Sequence, residues 1–484
     1  MQLSKLFLVL KQLDEAEIIS FRDFVDSPYF NKNKELSIYL NLIIREKLYE
    51  EESLDKDWIL KKIYKGKKYE PRRIHDLTYA LMNLFEEFLS IEKYVQTPFQ
   101  QKINLMSVAY EKELAPMING VEKDIENLHV QNQIRDSNYF YESFMIHSER
   151  DFIFRRLSTI SDNENLQSKI DQLDLFYLAL KLKDSCEMLN RSKIVSANYD
   201  FKMLDTNVQY LLDHPEFYSR YPAIHIYLNV YLMFSHEANE VYYLELEKLV
   251  KENESAFSHD ELRSIYMYAQ NYCIRRINQG NVTFNQNLLD LYKQIIGNGL
   301  VFEDNKNMQW DFKNFVTIGL RLKEYDWTFE MIHIFKKHLP DHIRENAYSY
   351  NLANYYYETG EYKKATKLLN SVEFSDIYYS LDSKAMLLKI YYKVEEEESF
   401  YSLVSSFGIY LKRNKLISRD NSEVYENLIR FTKKAFALKI KLPYQRNKDY
   451  FKKREDLKNK ITETQHVANI NWLLQEVELL KADN

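Results

Sequence analysis

The sequence predicts an all-α chain: an α-α solenoid of helical hairpins preceded by a small N-terminal helical domain. Three observations predict it. Only 8 glycines and 8 prolines occur in 484 residues, about a quarter of their usual ~12 % share, whereas strand-rich and doubly wound folds need many of both for turns. Apolar residues recur three and four apart along most of the chain, the spacing of one helix face. Between Trp310 and Lys415 a hairpin pattern also repeats, in units starting at residues 309, 346 and 381, at intervals of 37 and 35, the scale of a helix-turn-helix repeat. Helix is therefore expected in well over ~60 % of residues, against ~30–35 % in an average domain.

Residues 1–95 read as a separate helical domain. Leu3 to Leu13 starts a helix, and Asp14 and Glu15 open the turn to the next. Ser27-Pro28 is a break, because proline disfavours helical geometry in the residue before it; Tyr29 and Phe30 are expected to pack the helix end down. Asn33 is a cap for a helix burying Leu36, Leu40, Ile43 and Ile44. Trp58 to Tyr64 is a short helix. A longer one runs from Arg72 to Tyr94 with Leu77, Leu81, Leu84, Phe85 and Phe88 on its inner stripe. The segment Val95 to Gln101 reads as the boundary, with Pro98 stopping the helix.

Residues 101–300 read as degenerate helical hairpins. Ile118–Leu128 and Asn138–Leu157 are helical by period, Ile160–Lys169 is a polar loop, and helix resumes at Ile170. Pro222 opens another helix, and Gly297 to Gly299 closes one as a C-terminal cap. Such hairpins bury their apolar faces only by stacking.

Residues 301–420 carry the clearest units. The middle one places Leu352, Ala353 and Tyr356 on one helix face, turns at Gly360 and Tyr362, and continues with Ala365, Leu369 and Val372. The unit before it aligns on Glu324-Tyr325 and ends near Pro340; the unit after it has Leu388, Tyr391, Phe400, Val404 and Phe407 in the corresponding places. These residues resemble tetratricopeptide repeats, with departures at Thr328 and Phe400, where that family usually has alanine. A generic stack of helical hairpins is the alternative. Residues 421–484 are expected to cap the stack, with a helix over Glu423–Leu438, a charged segment after Pro443, and Trp472, Leu473 and Leu480 as anchors. The stretches "SPYFNKNKEL", "LDLFYLALKLKDSCEMLNR" and "YLKRNK" also resemble long helical bacterial proteins of no known activity, a resemblance that implies no function.

Little in the sequence points to catalysis. No glycine-rich phosphate loop occurs, and no serine or cysteine sits in a recognisable nucleophile signature. His338 and His342 are four apart, but Pro340 between them spoils a shared helix face. Arg220 and His225 superficially resemble the Arg-x4-His signature of some helical ribonucleases, yet Tyr221 and Pro222 break that pattern. The expectation is a non-enzymatic chain with no cofactor and no metal. Two cysteines, Cys186 and Cys273, fit a reducing compartment. The apolar run Leu6–Leu10 is shorter than a signal-peptide core of ~7–15 residues, and no run approaches the ~18 residues of a membrane span. A cytoplasmic location and no membrane contact are expected.

Charge is unevenly distributed. The whole chain carries −6, yet Lys412 to Lys460 holds 16 Lys/Arg against 6 Asp/Glu, and Lys61 to Arg73 holds seven cations and one Glu. With Tyr64, Tyr69, Tyr444, Tyr450 and Phe451 alongside, the stretches 61–73 and 412–460 fit a nucleic-acid-associated regulator; solvated helix faces are the simpler reading. The tetratricopeptide resemblance implies another function, a scaffold or adaptor that binds a protein or peptide partner, acidic in character, in a concave groove. It implies contact through Lys313, Thr317, Leu320 and Arg321; Tyr350, Asn354, Tyr357 and Glu358; Ala385, Lys389, Tyr392 and Lys393. Lys313, Arg321, Tyr350, Asn354, Tyr357, Lys389, Tyr392 and Lys393 carry the basic and aromatic chemistry for it.

Overall fold

The structure is a computed structural model that describes residues 5–46, 55–65, 68–157, 163–195, 197–302, 308–371, 377–415, 417–441 and 448–480. Helix makes up 82 % of the described residues, and no strand occurs among them. The chain divides into two compact units, Met1–Tyr231 with Lys248–Phe257, and Leu232–Glu247 with Ser258–Asn484.

In the first unit, α1 (Lys5–Leu10), α2 (Glu15–Asp26) and α3 (Lys34–Arg45) pack on α5 (Arg73–Val95), and α4 (Lys56–Tyr64) packs on α3. Their ends follow local chemistry. Asp14 and Glu17 form a reciprocal capping box on α2, with bonds of 2.8 and 2.9 Å, and Asn33 and Asp55 accept from backbone amides at the starts of α3 and α4. The core between them is aromatic: Phe21 meets Phe85 edge-on at 5.0 Å and Phe24 stacks on Phe30 at 4.1 Å. Phe30 thus packs the end of α2 as expected, whereas Tyr29 is 83 % exposed.

Then come α6 (Pro98–Glu111), α7 (Ala115–Gln131), α8 (Ser137–Leu157), α9 (Glu164–Val195), α10 (Leu204–Asp213) and α11 (Pro215–Tyr218). Pro98 does not merely stop a helix. It occupies the first turn of α6, where its missing amide hydrogen leaves no helical bond unmade. Helix also resumes at Glu164, earlier than expected, because buried Asp151 of α8 gathers Lys169 at 3.3 Å and Asn163 at 2.8 Å. Ile160 to Asp162 of the expected loop lie outside the described residues, and from Asn163 on the polar sequence serves a buried carboxylate. Next in the chain are α12 (Pro222–Ser235) and α13 (Val241–Asn253), followed by a single 3-10 turn at Glu254–Ala256.

The rest of the second unit comprises α14 (His259–Asn278), α15 (Phe284–Gly297), α16 (Met308–Arg321), α17 (Tyr325–His338), α18 (Asp341–Glu358), α19 (Tyr362–Asn370), α20 (Ile377–Val394), α21 (Glu397–Arg413), α22 (Arg419–Lys441), α23 (Lys448–Glu463) and α24 (Ile470–Leu479). Neighbours in sequence pack together from α14 to α24, and α16, α18, α20, α22 and α24 also pack each on the next. The turns at Gly280 and Gly299 and three turns of the repeat region share one device. Lys323, Gly360 and Glu395 all have left-handed backbone, with φ of 62°, 82° and 60°. The amide after each donates five residues back: Glu324 to Gly319, Glu361 to Tyr356 and Glu396 to Tyr391. This closes the preceding helix as a Schellman turn does. The spacing of these residues equals the two repeat intervals. Of these three repeat turns, the one at Gly360 alone meets the left-handed requirement with glycine, without cost.

The departures at Thr328 and Phe400 have physical reasons. A Cβ on Gly319 would lie 2.3 Å from Thr328 Oγ1 and 2.9 Å from the Trp327 ring. The bare backbone of α16 therefore makes the room that the larger threonine needs on α17. Phe400 is fully buried because its ring reaches α22 and stacks on Phe436 at 4.0 Å. Val372 and Tyr444 lie outside the described residues.

Candidate functional site

The groove residues read from the sequence lie on α16, α18 and α20, and the structure gathers them into separate clusters. At the first, Lys313 Nζ is 2.5 Å from Asp382 Oδ2. The same ammonium lies 5.5 Å from the Tyr350 and Tyr379 ring centres and 5.7 Å from that of Trp310. Tyr425 donates to the other Asp382 oxygen at 2.7 Å. Tyr350 is buried edge-on to Tyr379 at 4.9 Å. Burial first, then the Asp382 charge, pushes the Tyr350 hydroxyl well above its usual pKa, so it stays neutral and acts as an aromatic surface with a fixed dipole.

The second cluster is Tyr357 and Lys389. The Lys389 ammonium sits 4.6 Å from the ring centre of buried Tyr357. Among the described residues no carboxylate comes within ion-pair distance of it. Burial lowers the Lys389 pKa, opposed by the more distant charges of Glu358 and Asp382. Asn354, one turn before Tyr357 on α18, is half-buried.

At the third cluster α24 lies against α20. Lys393 Nζ meets Glu476 Oε1 at 2.5 Å, with the Glu476 side chain 7 % exposed. Tyr392 is fully buried, edge-on to Trp472 at 5.5 Å. Lys439 reaches from α22 to the last carbonyls of α20, donating to those of Tyr392 at 2.9 Å and Lys393 at 3.3 Å. A cation there complements the negative end of the helix.

Arg321 stands apart from these clusters. Its guanidinium donates to Asn285 Oδ1 at 3.0 Å, and it lines a cavity of about 160 Å³ with Asn278, Tyr292, Asn314 and Thr317. Leu320 and Ala385 are buried. Sequence reasoning did not single out Asp382, Tyr379, Tyr425 or Glu476 as groove residues. No local signal marks them: Asp382 lies 69 residues from Lys313 and 43 from Tyr425.

The basic stretches differ from each other. In 61–73, Arg73 is held by Glu35 at 2.9 Å, and Tyr64 stacks on Tyr69 at 5.7 Å while donating to the same carboxylate. In 412–460, α22 and α23 enclose a cavity of about 310 Å³. Lys434 and Lys441 line it from α22, and Lys453 and Lys460 from α23, with Asp449 and Asp456 beside them and Ala437, Leu438 and Leu457 as an apolar floor. All four lysines are exposed, and among the described residues only Lys453 has an ion-pair partner there, Asp449 at 2.5 Å. No helix among the described residues is long and apolar enough to cross a membrane. No family model matches this chain, and no curated protein or solved structure matches it.

Proposed function

We propose that this chain is a non-enzymatic α-solenoid scaffold or adaptor that binds an acidic protein or peptide in the groove of α16, α18 and α20. The observation that carries the reading is Lys389. It is a half-buried lysine whose ammonium rests on the Tyr357 ring, with no carboxylate within ion-pair distance among the described residues. Burying a charge without its partner is costly. A partner's carboxylate placed there would form a charge-assisted hydrogen bond, a contact worth roughly 1.5–3 kcal/mol. The chain's own α24 uses the same chemistry one turn away, with a carboxylate on Lys393 and an indole edge on Tyr392. Alternate helices packing each on the next, and turns recurring at the repeat intervals, support the solenoid half of the reading.

The test is capture of partners from the native host by the tagged chain and by an Asn354→Ala/Lys389→Met variant. The variant should capture its partners at least tenfold less well while remaining folded by circular dichroism. Full capture by the variant would refute the groove reading. A second reading, a nucleic-acid-associated regulator, is favoured by the lysine-lined cavity of α22 and α23. It requires gel shifts with random DNA or RNA that weaken steeply with salt, and the absence of any shift at low salt would rule it out.

A further inference from the structure

The unit formed by residues 1–231 and 248–257 contains a cavity of about 560 Å³, within the range of roughly 300–1,000 Å³ common for small-molecule sites. One wall is α9. Asp171, Asp174 and Leu178 lie three and four residues apart, so one stripe of that helix puts two carboxylates at the rim and an apolar residue below them. The facing wall brings Tyr210 from α10, Phe217 from α11 and Tyr221 just after it. These rings brace one another. Phe217 lies edge-on to Tyr221 at 5.5 Å and to Tyr210 at 6.3 Å, and Tyr221 is edge-on to Phe140 at 5.7 Å. Across the cavity, Asn207 donates to the Tyr177 hydroxyl at 2.9 Å and fixes that ring too.

The composition of the lining is one-sided. It has four aromatic rings, two carboxylates and no lysine or arginine. Elsewhere the chain covers its rings with its own cations, as Arg135 does over Tyr139 at 4.1 Å and Lys336 over Tyr348 at 3.9 Å. Among the described residues no lysine or arginine covers Tyr177, Tyr210, Phe217 or Tyr221, the His214 ring lies 4.7 Å from that of Tyr210, and neither Asp171 nor Asp174 is in an ion pair. Asp171 accepts one bond from Gln167 at 2.7 Å and keeps further lone pairs. Tyr210 is 48 % exposed, which leaves the cavity open to entry.

We propose that this cavity binds an organic cation, an alkylammonium or guanidinium group. Ring faces attract such a cation through their quadrupoles, and the rim carboxylates raise its local concentration. A hard metal ion does not suit the lining, since calcium needs six to eight oxygen ligands. The same chemistry is offered by a free amine and by the side chain of a partner's lysine.

Calorimetric titration of the full chain tests the proposal. The probes are tetramethylammonium, spermidine and N-acetyl-lysine methylamide, with neopentyl alcohol as a neutral molecule of similar shape to the first. The cations should bind saturably and neopentyl alcohol at least tenfold more weakly. Tyr210→Leu, at a well-exposed position, should keep its melting temperature and weaken cation binding by about tenfold. Asp171→Asn/Asp174→Asn should weaken it too, and should flatten its dependence on salt. Tighter binding of spermidine would assign the site to free amines; tighter binding of the lysine amide would assign it to a partner's side chain. Equal binding of neopentyl alcohol, no saturable binding of any cation, or wild-type binding by folded Tyr210→Leu would each overturn the proposal.

Discussion

The helices α16, α18 and α20 and the cavity between α22 and α23 both carry lysines, but they hold their charges differently. On α16 and α20, Lys313 and Lys393 are matched to Asp382 and Glu476, and Lys389 rests on an aromatic ring. In the cavity, Lys434, Lys441 and Lys460 project from exposed positions. Lys313 and Lys393 are therefore engaged within the fold, whereas Lys434, Lys441 and Lys460 stand exposed. A run of basic letters does not distinguish these roles, because the deciding carboxylates come from other helices.

The largest effect should follow from breaking the groove's deepest pair. Glu476→Ala leaves Lys393 without its carboxylate and should cost on the order of 3 kcal/mol of unfolding free energy by denaturant titration, as for buried pairs in general. Lys393→Met/Glu476→Leu should recover most of it. A loss below about 0.5 kcal/mol would place this pair with ordinary surface contacts and remove the contrast with the cavity.

What sets the position of the first groove helix is tested next, at Gly319. A methyl group there meets Thr328 and Trp327, so Gly319→Ala should cost about 1–3 kcal/mol. Thr328→Ala in the same chain should restore a good part by removing the clashing hydroxyl. Without that rescue, the tight contact between α16 and α17 would not be what fixes the groove wall.

Lys389 should respond in the opposite sense. Its folded pKa is depressed, by burial above all, below the ~10.4 of an unfolded lysine. Between the two values the unfolded chain holds a proton that the folded chain has released, so stability rises with pH across that window. Below it both forms are charged and the full penalty of burial applies. Lys389→Met should raise the melting temperature at neutral pH and flatten the alkaline rise. An unchanged melting curve across that range would mean that the ammonium is adequately solvated where it lies.

The smallest effect on stability belongs to the cavity. Lys434→Ala/Lys460→Ala should move the unfolding free energy by no more than about 0.5 kcal/mol, as is usual at exposed sites. Any binding of polyanions at low salt should fall with the same change. Loss of stability there without loss of polyanion binding would reverse the assignment of roles.

The sequence by itself determined the helical class, through the scarcity of glycine and proline and the spacing of apolar residues. It also determined the intervals of 37 and 35 residues, because helix length and turn length are local properties and the left-handed residues at 323, 360 and 395 follow them. Capping at Asp14 and Asn33 is local in the same way. The helices that carry the candidate groove residues, α16, α18 and α20, were legible too, since helix spacing is a local property. Only the tertiary structure decided which of those side chains is paired, buried or open. Tyr392 lies under Trp472, and Lys313 meets a carboxylate 69 residues away. The cavity walled by α9, α10 and α11 was invisible to the sequence for the same reason. Its carboxylates and rings belong to segments with no common motif, and their chemistry arises only where packing faces one helix with the others.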